Sequence, residues 1–305
     1  MKILITGASG FVGSFLLNQL LEESKHEVAL LLRNPLKSWR IKPLLKDVFL
    51  IEGSLDDPQS YQSKLNSFKP DVLVHLAWDG VEGKDRNDSV QWKNVFNMLK
   101  LMEIANSAGV HTFVGLGSQA EYGLVSAQID ETRETKPTTL YGASKLAASS
   151  IGQMQANIYD MRFSWLRLFS SYGPMDHPNW LIPYLINSLL DGRSPNVTLA
   201  EQVWDYIHVR DVASAIGAII DTDSASGVFN LGSGRAVSLK LIIEKIRDII
   251  NPLAIVNFGA IPYREDQVMH LEANIDLLSK ETDWKPIVLL DNGLLETVDW
   301  WKSLK

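Results

Sequence analysis

The sequence predicts an α/β fold, a doubly wound parallel sheet with a smaller C-terminal lobe, and three observations predict it. The chain opens on a short apolar run, Lys2 to Thr6, too short for a helix and closed by glycine, the pattern of a strand buried on both faces. Comparable apolar runs recur at Glu27–Leu32, Val48–Ile51, Asp71–Ala77 and Thr112–Leu116, separated by stretches long enough for crossover helices. Between the first two runs, Val12, Leu16, Leu17, Leu20 and Leu21 recur at helical spacing, so a helix starts inside the glycines Gly7, Gly10 and Gly13.

A strand, a glycine turn and a helix N-terminus together make an anion site. Backbone N–H groups, here those of Phe11 and Val12, and the positive end of the helix dipole point at whatever docks there. Gly7 permits the tight turn, Gly10 the close approach of a pyrophosphate, and Gly13 close packing of helix on strand. Glycine turns also end strands for purely structural reasons. Position immediately after a strand and at a helix start is what turns the triplet into a dinucleotide expectation.

The length, 305 residues, suits one large α/β domain plus a smaller lobe. Net charge is −7 with no basic block, which disfavours a nucleic-acid partner. Cysteine is absent, which excludes disulfides, cysteine nucleophiles and thiolate metal sites; no metal site is expected. No apolar run approaches the ~18 residues that span a bilayer. The glycines and immediate helix at the N-terminus argue against a signal peptide. A soluble, cytoplasmic protein without a membrane partner is the expectation.

Glu27–Leu32 reads as the second parallel strand and ends at Arg33, beside the place of the adenosine ribose in this fold. An acidic residue there would bond the ribose 2′-hydroxyl and select NAD, whereas arginine suits the 2′-phosphate of NADP. A solvated surface arginine is the other reading, and Lys37 and Arg40 lie nearby in sequence. The third run leads into Gly53-Ser54-Leu55, with Leu55 the apolar contact for the adenine and Ser54 beside it. The fourth carries His75, which reads as a core histidine without a chemical role. Leu76, Ala77 and Trp78 leave it at the carboxyl end, where ligands of open parallel sheets bind.

Gln91 to Ser107 reads as a helix with apolar Val95, Met98, Leu99, Met102 and Ala105. Asn94 near its start is either an inward polar group or a surface residue of the first turn. The fifth strand runs into Ser118-Gln119-Ala120-Glu121-Tyr122-Gly123, a hydroxyl just past a strand's end. Pro137-Thr138-Thr139 then starts a helix carrying Tyr141 and Lys145 four residues apart, hence on one face. A free phenol titrates near ~10, and a neighbouring ammonium favours the phenolate and lowers that value. The pair is common by chance. After Ser118, in a chain that opens with a nucleotide turn, it reads as an acid–base set.

These residues carry a resemblance. Thr6-Gly7-x-x-Gly10-x-x-Gly13, His75-Leu76-Ala77, Ser118 before Tyr122-Gly123, and Tyr141-x-x-x-Lys145 resemble the extended short-chain dehydrogenase/reductases. More narrowly, they resemble the NAD-dependent epimerase/dehydratase family that works on nucleotide sugars. The likeness continues through Leu166–Pro174, Trp204–Ala213, Phe229–Gly234 and the ending from Trp284 to Trp301. It implies a Rossmann domain over residues 1–172, to which about 204–228 returns, and a substrate-binding lobe over 173–305. Ser118 would hold the substrate oxygen, Tyr141 would exchange its proton, and Lys145 would bond the nicotinamide ribose and keep Tyr141 acidic. Gly7, Gly10, Phe11, Val12, Gly13, Arg33, Ser54, Leu55, Leu76, Ala77 and Asn94 would hold the dinucleotide. Trp78, Gln119, Ser170 and Arg264 would meet the substrate, Arg264 at its phosphates. A homodimer is compatible with the same likeness.

Departures from the family pattern choose among reactions. Its dehydratases carry an Asp-Glu pair after the active-site hydroxyl, and here Gln119 and Ala120 stand there, against 4,6-dehydration. Ser170 replaces a frequent asparagine, and Trp204 an epimerase arginine. The expectation is an NADPH-dependent reductase of a 4-keto-6-deoxy nucleotide sugar, with NAD possible as cofactor. An NAD-retaining 4-epimerase is the alternative. A non-catalytic NAD(P)-sensing protein is remote, because such proteins usually lose the Tyr–Lys pair.

Overall fold

Seven strands form one parallel sheet in a computed structural model that describes residues 1–264 and 267–305. They are β1 (Lys2–Thr6), β2 (Glu27–Leu32), β3 (Phe49–Glu52), β4 (Val72–His75), β5 (Thr112–Ser118), β7 (Arg162–Leu168) and β10 (Gly227–Leu231), ordered β10-β7-β5-β4-β1-β2-β3. The sequence places the first two strands at these bounds and β3 one residue early. Leu76 and Ala77 lie beyond β4, and β5 runs two residues past Leu116 to Ser118.

Both faces of the sheet are covered, as unbroken apolar strands require. On one side α1 (Phe11–Glu23) and α6 (Val209–Asp221) pack together over Ile3, Ile5, Val72 and Val114. On the other, α2 (Gln59–Phe68), α3 (Val90–Ser107) and α4 (Leu140–Ile158) cover Leu4, Leu73, Phe113 and Phe163. The sheet order reverses between β1 and β4. Their carboxyl ends therefore open the crevice where ligands of such sheets bind.

A second sheet, ordered β11-β9-β12-β6, is built from β6 (Ala127–Ile129), β9 (Val203–His208), β11 (Ala236–Ser238) and β12 (His270–Ala273). β8 (Ser170–Tyr172) pairs with β9. Its organiser is buried Asp205 on β9. That carboxylate accepts from Ser233 N (2.7 Å), Ser233 Oγ (2.7 Å), Gly234 N (2.9 Å) and Ala273 N (3.2 Å). Helices α5 (Leu181–Leu190), α7 (Leu239–Ile250) and α9 (Leu290–Lys302) enclose the smaller core, with Ile243 and Ile246 at its centre; α8 (Asp276–Thr282) packs on β10. The return to the large sheet starts later than residue 204. β9 still belongs to the second sheet, and α6 and β10 are what go back.

Arg40 ties the lobes together where they face each other. Its Nε donates to the Met175 carbonyl at 2.9 Å and its Nη1 to that of Ser9, in the glycine turn, at 3.4 Å. Trp39 beside it stacks on Trp300 at 6.3 Å. Lys37 is exposed.

Candidate active site

The glycine turn has the shape a dinucleotide phosphate needs. Gly7 adopts φ +75°, and a Cβ there would lie 2.5 Å from Ala77 N, so only glycine lets β1 pass the exit of β4. A Cβ at Gly13 would run into the Gly7 carbonyl oxygen, whereas one at Gly10 would meet that atom alone, at 3.1 Å. Gly10 thus faces open space. It is also the N-cap of α1, where no side chain caps the helix and no acid occupies the first turn. The N–H groups of Phe11 and Val12 are left to an anion there. The pyrophosphate of NAD(P) fits this cradle, and when bound the cofactor supplies or accepts a hydride.

Around the crevice, α3 fixes the chain that leaves β4. Buried Asn94 accepts from Asp79 N (3.1 Å) and donates to Asp79 O (2.9 Å). Fully buried Gln91 accepts from Trp78 Nε1 (2.9 Å) and donates to the carbonyls of Gly80 (2.6 Å) and Asp85 (3.0 Å). Asn94 is therefore inward, with its amide committed to this loop. Arg33 reaches the same loop: its Nη1 and Nη2 lie 3.0 and 2.9 Å from the two carboxylate oxygens of Asp79, an exposed pair. Ser54 N is held by Ser60 Oγ at 3.1 Å, and Leu55 is half-buried against the core under α2 and α3.

The chemical groups converge at the end of β5 and the start of α4. Ser118, buried, caps a tight turn by accepting from Ala120 N at 3.2 Å, and its side chain lies beside the Tyr141 phenol. Beneath it Glu121, with no exposed surface, accepts from Ser118 N (2.9 Å), Trp165 Nε1 (3.0 Å) and Arg167 Nε (2.8 Å). The first-turn donors of α4 are met one by one: Leu140 N by Asn87 Oδ1 (3.0 Å), Tyr141 N by Arg86 O (2.8 Å), Gly142 N by Thr139 Oγ1 (3.1 Å). Trp78 lies edge-on to Tyr141 at 6.5 Å.

The electrostatics differ from expectation at one point. Burial pushes the Tyr141 phenol up from its ordinary value. What pulls it back is the Ser118 side chain beside it and the Arg86 guanidinium, while Glu121 adds to the rise. Lys145 turns toward the end of β5 and the ring of Trp78. Burial lowers its ammonium to about 7, Nζ donates to Leu116 O at 2.6 Å, and it sits 3.7 Å from the Trp78 ring centroid but 6.0 Å from that of Tyr141. His75 is buried, hydrogen-bonded to Thr6 Oγ1 at 2.9 Å and held neutral, its value lowered by burial to about 3.

Ser118, Tyr141, Lys145 and Trp78 thus come together. Gln119 is half-exposed on the turn after Ser118, and Ser170 half-buried on β8. Arg264 is exposed and belongs to the second sheet's side. Before it the Tyr263 hydroxyl accepts from Glu201 N at 2.9 Å, and the Trp204 indole donates to Val268 O at 2.8 Å. Arg86, Gln91, Glu121 and Asp79 escaped the sequence. Gln91 left a signal, a polar residue in line with Val95 and Met98 on a buried helix stripe, and so did Glu121, three residues after Ser118 in a Ser-x-x-Glu capping box.

A dinucleotide crevice edged by a serine, a tyrosine and a lysine defines an enzyme of the NAD(P)-dependent oxidoreductase type. The model of the NAD dependent epimerase/dehydratase family matches residues 3–232, and the chain belongs to that family. Among curated proteins it is similar to CDP-abequose synthase of Salmonella muenchen, 28% identical over 96% of this chain and 95% of that one. Among solved structures it is similar to UDP-glucuronic acid 4-epimerase from Bacillus cereus in complex with UDP-glucuronic acid and NAD. That similarity has a TM-score of 0.89 and 26% identity, covering all of both chains. UDP-glucose 4-epimerase from Thermotoga maritima superposes at TM-score 0.90 with 24% identity over the whole of both chains, a likeness of fold alone. Among the described residues no helix is long and apolar enough to cross a membrane.

Proposed function

We propose that this protein is an NADPH-dependent reductase of a 4-keto-6-deoxy nucleotide sugar, with Tyr141 as proton donor. The observation that carries it is the placing of the Ser118 side chain beside the Tyr141 phenol, at a site where no carboxylate follows the serine at positions 119 and 120. Ser118 and Tyr141 would share the sugar's C4 oxygen. As C4 receives a hydride, the phenol O–H bond breaks and its proton forms the new hydroxyl, so charge and atoms balance. A phenol raised by burial stays protonated at neutral pH and remains a loaded donor. The match to a CDP-sugar synthase supports a nucleotide-sugar substrate, whose phosphates Arg264 would meet.

Arg33 supports NADPH, in competition with Asp79 for the same guanidinium. A charge-assisted hydrogen bond to phosphate is worth ~1.5–3 kcal/mol, and releasing an exposed ion pair costs up to ~1 kcal/mol. The net preference for NADPH over NADH is then on the order of tenfold and is lost in Arg33→Ala. The assay supplies dTDP-, CDP-, UDP- and GDP-linked 4-keto-6-deoxy sugars with each cofactor and follows absorbance and product. Equal use of both cofactors by wild type would remove Arg33 from the assignment.

A 4-epimerase that retains NAD is the second reading. The Arg33–Asp79 pair and the NAD complex of the Bacillus cereus enzyme favour it. If no keto sugar consumes reduced cofactor while a UDP-hexose is epimerised with catalytic NAD, that reading replaces the first.

A homodimer is part of the same proposal. Trp92 and Phe96 on α3, with Ile151, Met154 and Ile158 on α4, expose an apolar face at helical spacing on two helices that pack together. Sedimentation should give a dimer, and Phe96→Glu with Ile158→Glu a monomer. A wild type that stays monomeric at every concentration sinks it.

A further inference from the structure

We propose that Glu23, His26 and Asp221 form a zinc-binding site at the amino end of the large sheet, stapling together the C-terminal ends of α1 and α6. Glu23 is the last residue of α1 and Asp221 the last of α6, two helices that pack on each other, and His26 immediately precedes β2. One oxygen of each carboxylate and one ring nitrogen of the histidine all lie within 4.8 Å of one another. Among the described residues no other three histidine, aspartate or glutamate side chains come together in this way, so a single bound ion is expected.

His26 is the informative residue. Its side chain is only 5% exposed, yet neither ring nitrogen makes a hydrogen bond among the described residues, whereas a buried polar group ordinarily finds a partner. Nε2 is 3.5 Å from Asp221 Oδ1, beyond the ~2.7–3.2 Å of an N–H···O hydrogen bond. With metal bonds of ~2.0–2.2 Å, the edge between two ligands of a tetrahedral zinc ion is about 3.4 Å. The separation therefore suits two ligands of one ion better than a donor and its acceptor. Imidazole with carboxylates is a donor set that zinc accepts, and the fourth position falls to water. Gln19 on α1 donates to Glu23 Oε1 at 2.9 Å, which orients that carboxylate.

Charge at this end of the sheet also favours a cation. Both helices end at the cluster, so the negative ends of two dipoles converge on it, and neither helix has a basic residue in its last turn. The positive charge already beside the carboxylates is Lys25, with Nζ 3.6 Å from Glu23 Oε2 and 4.0 Å from Asp221 Oδ2, and 62% of its side chain exposed. An exposed pair at such distances is weak. Lys25 therefore competes with the metal and does not exclude it. Ser118 stands at the carboxyl end of β5, the opposite end of the sheet, so the ion would brace the fold and take no part in the reaction.

The test uses the full-length chain, freed of any affinity tag and dialysed against chelator, titrated by calorimetry with zinc chloride and by visible absorbance with cobalt chloride. One equivalent of zinc should bind and raise the melting temperature, and the cobalt form should show the intense visible bands of four-coordinate geometry. His26→Ala and Asp221→Asn should each weaken binding by at least on the order of tenfold, because even groups that only orient a ligand are worth ~10–100-fold. Lys25→Met should tighten it. Asp221 is exposed, so its variant reports even where alanine at buried position 26 impairs folding. Cofactor affinity should be the same with and without zinc. A wild type that takes up no zinc below millimolar concentration overturns the proposal, as does binding that neither Asp221→Asn nor Glu23→Gln weakens.

Discussion

Tyr141→Phe should leave the fold and the dinucleotide affinity in place and lower turnover by on the order of 10²–10⁴, the worth of a positioned acid–base group. The phenylalanine ring keeps the edge-on contact with Trp78 and the position under Arg86, so packing is unchanged. What goes is one hydroxyl, the one beside Ser118. The sign of the pH dependence follows from burial holding the phenol above its ordinary value. In the reducing direction the group must be protonated, so its own contribution to turnover is constant through neutrality and falls only in the alkaline range. In the oxidising direction the same group must be ionised, and the rate climbs with pH. Both limbs should vanish in the variant. Melting temperature, cofactor titration and single-turnover rates separate these effects, and near-normal turnover would remove Tyr141 from the chemistry.

Five strands of the large sheet were legible as short, largely apolar runs, whereas β7, which carries Arg162, Ser164 and Arg167, and β10 do not stand out in that way. The second sheet was not legible. β6, β8, β11 and β12 span only three or four residues, and β12 joins β6 across 144 positions, Leu271 against Ala127. Nothing local specifies such pairings. Asp205 does so in three dimensions, by gathering N–H groups from residues 233, 234 and 273 around one buried carboxylate. The site divides in the same way. Ser118, Tyr141 and Lys145 announce themselves by type and spacing. Arg86 and Asp79 sit in a polar loop whose composition says only that it is exposed, and acquire meaning from Gln91 and Asn94 holding that loop against α4. The direction of Lys145 was hidden for a related reason. A four-residue spacing puts two side chains on one face, but the carbonyl of Leu116 and the ring of Trp78 decide where the ammonium points.

The support beneath Ser118 makes the largest demand on stability. Glu121 and Arg167 form an ion pair of 2.8 Å with Arg167 7% and Glu121 0% exposed at the side chain. Breaking such a pair by removing one charge costs ~3–5 kcal/mol, because the other is left uncompensated away from water. Whole domains are stable by only ~5–15 kcal/mol. Glu121→Gln should therefore lower the urea midpoint strongly. Its amide oxygen can still accept from Ser118 N and Trp165 Nε1, so the serine keeps its place, and turnover of the folded fraction should stay within about threefold, less than one hydrogen bond's worth. Glu121→Ala loses those two acceptors as well, leaving the Ser118 N–H and the indole unsatisfied, and should lose turnover along with stability. Replacing both charges, Glu121→Leu with Arg167→Met, should recover most of the stability while Ser118 stays displaced and turnover stays low. A Glu121→Gln variant within about 1 kcal/mol of wild type would mean that water reaches Arg167. Equal turnover in the glutamine and alanine variants would mean that Glu121 does not position Ser118.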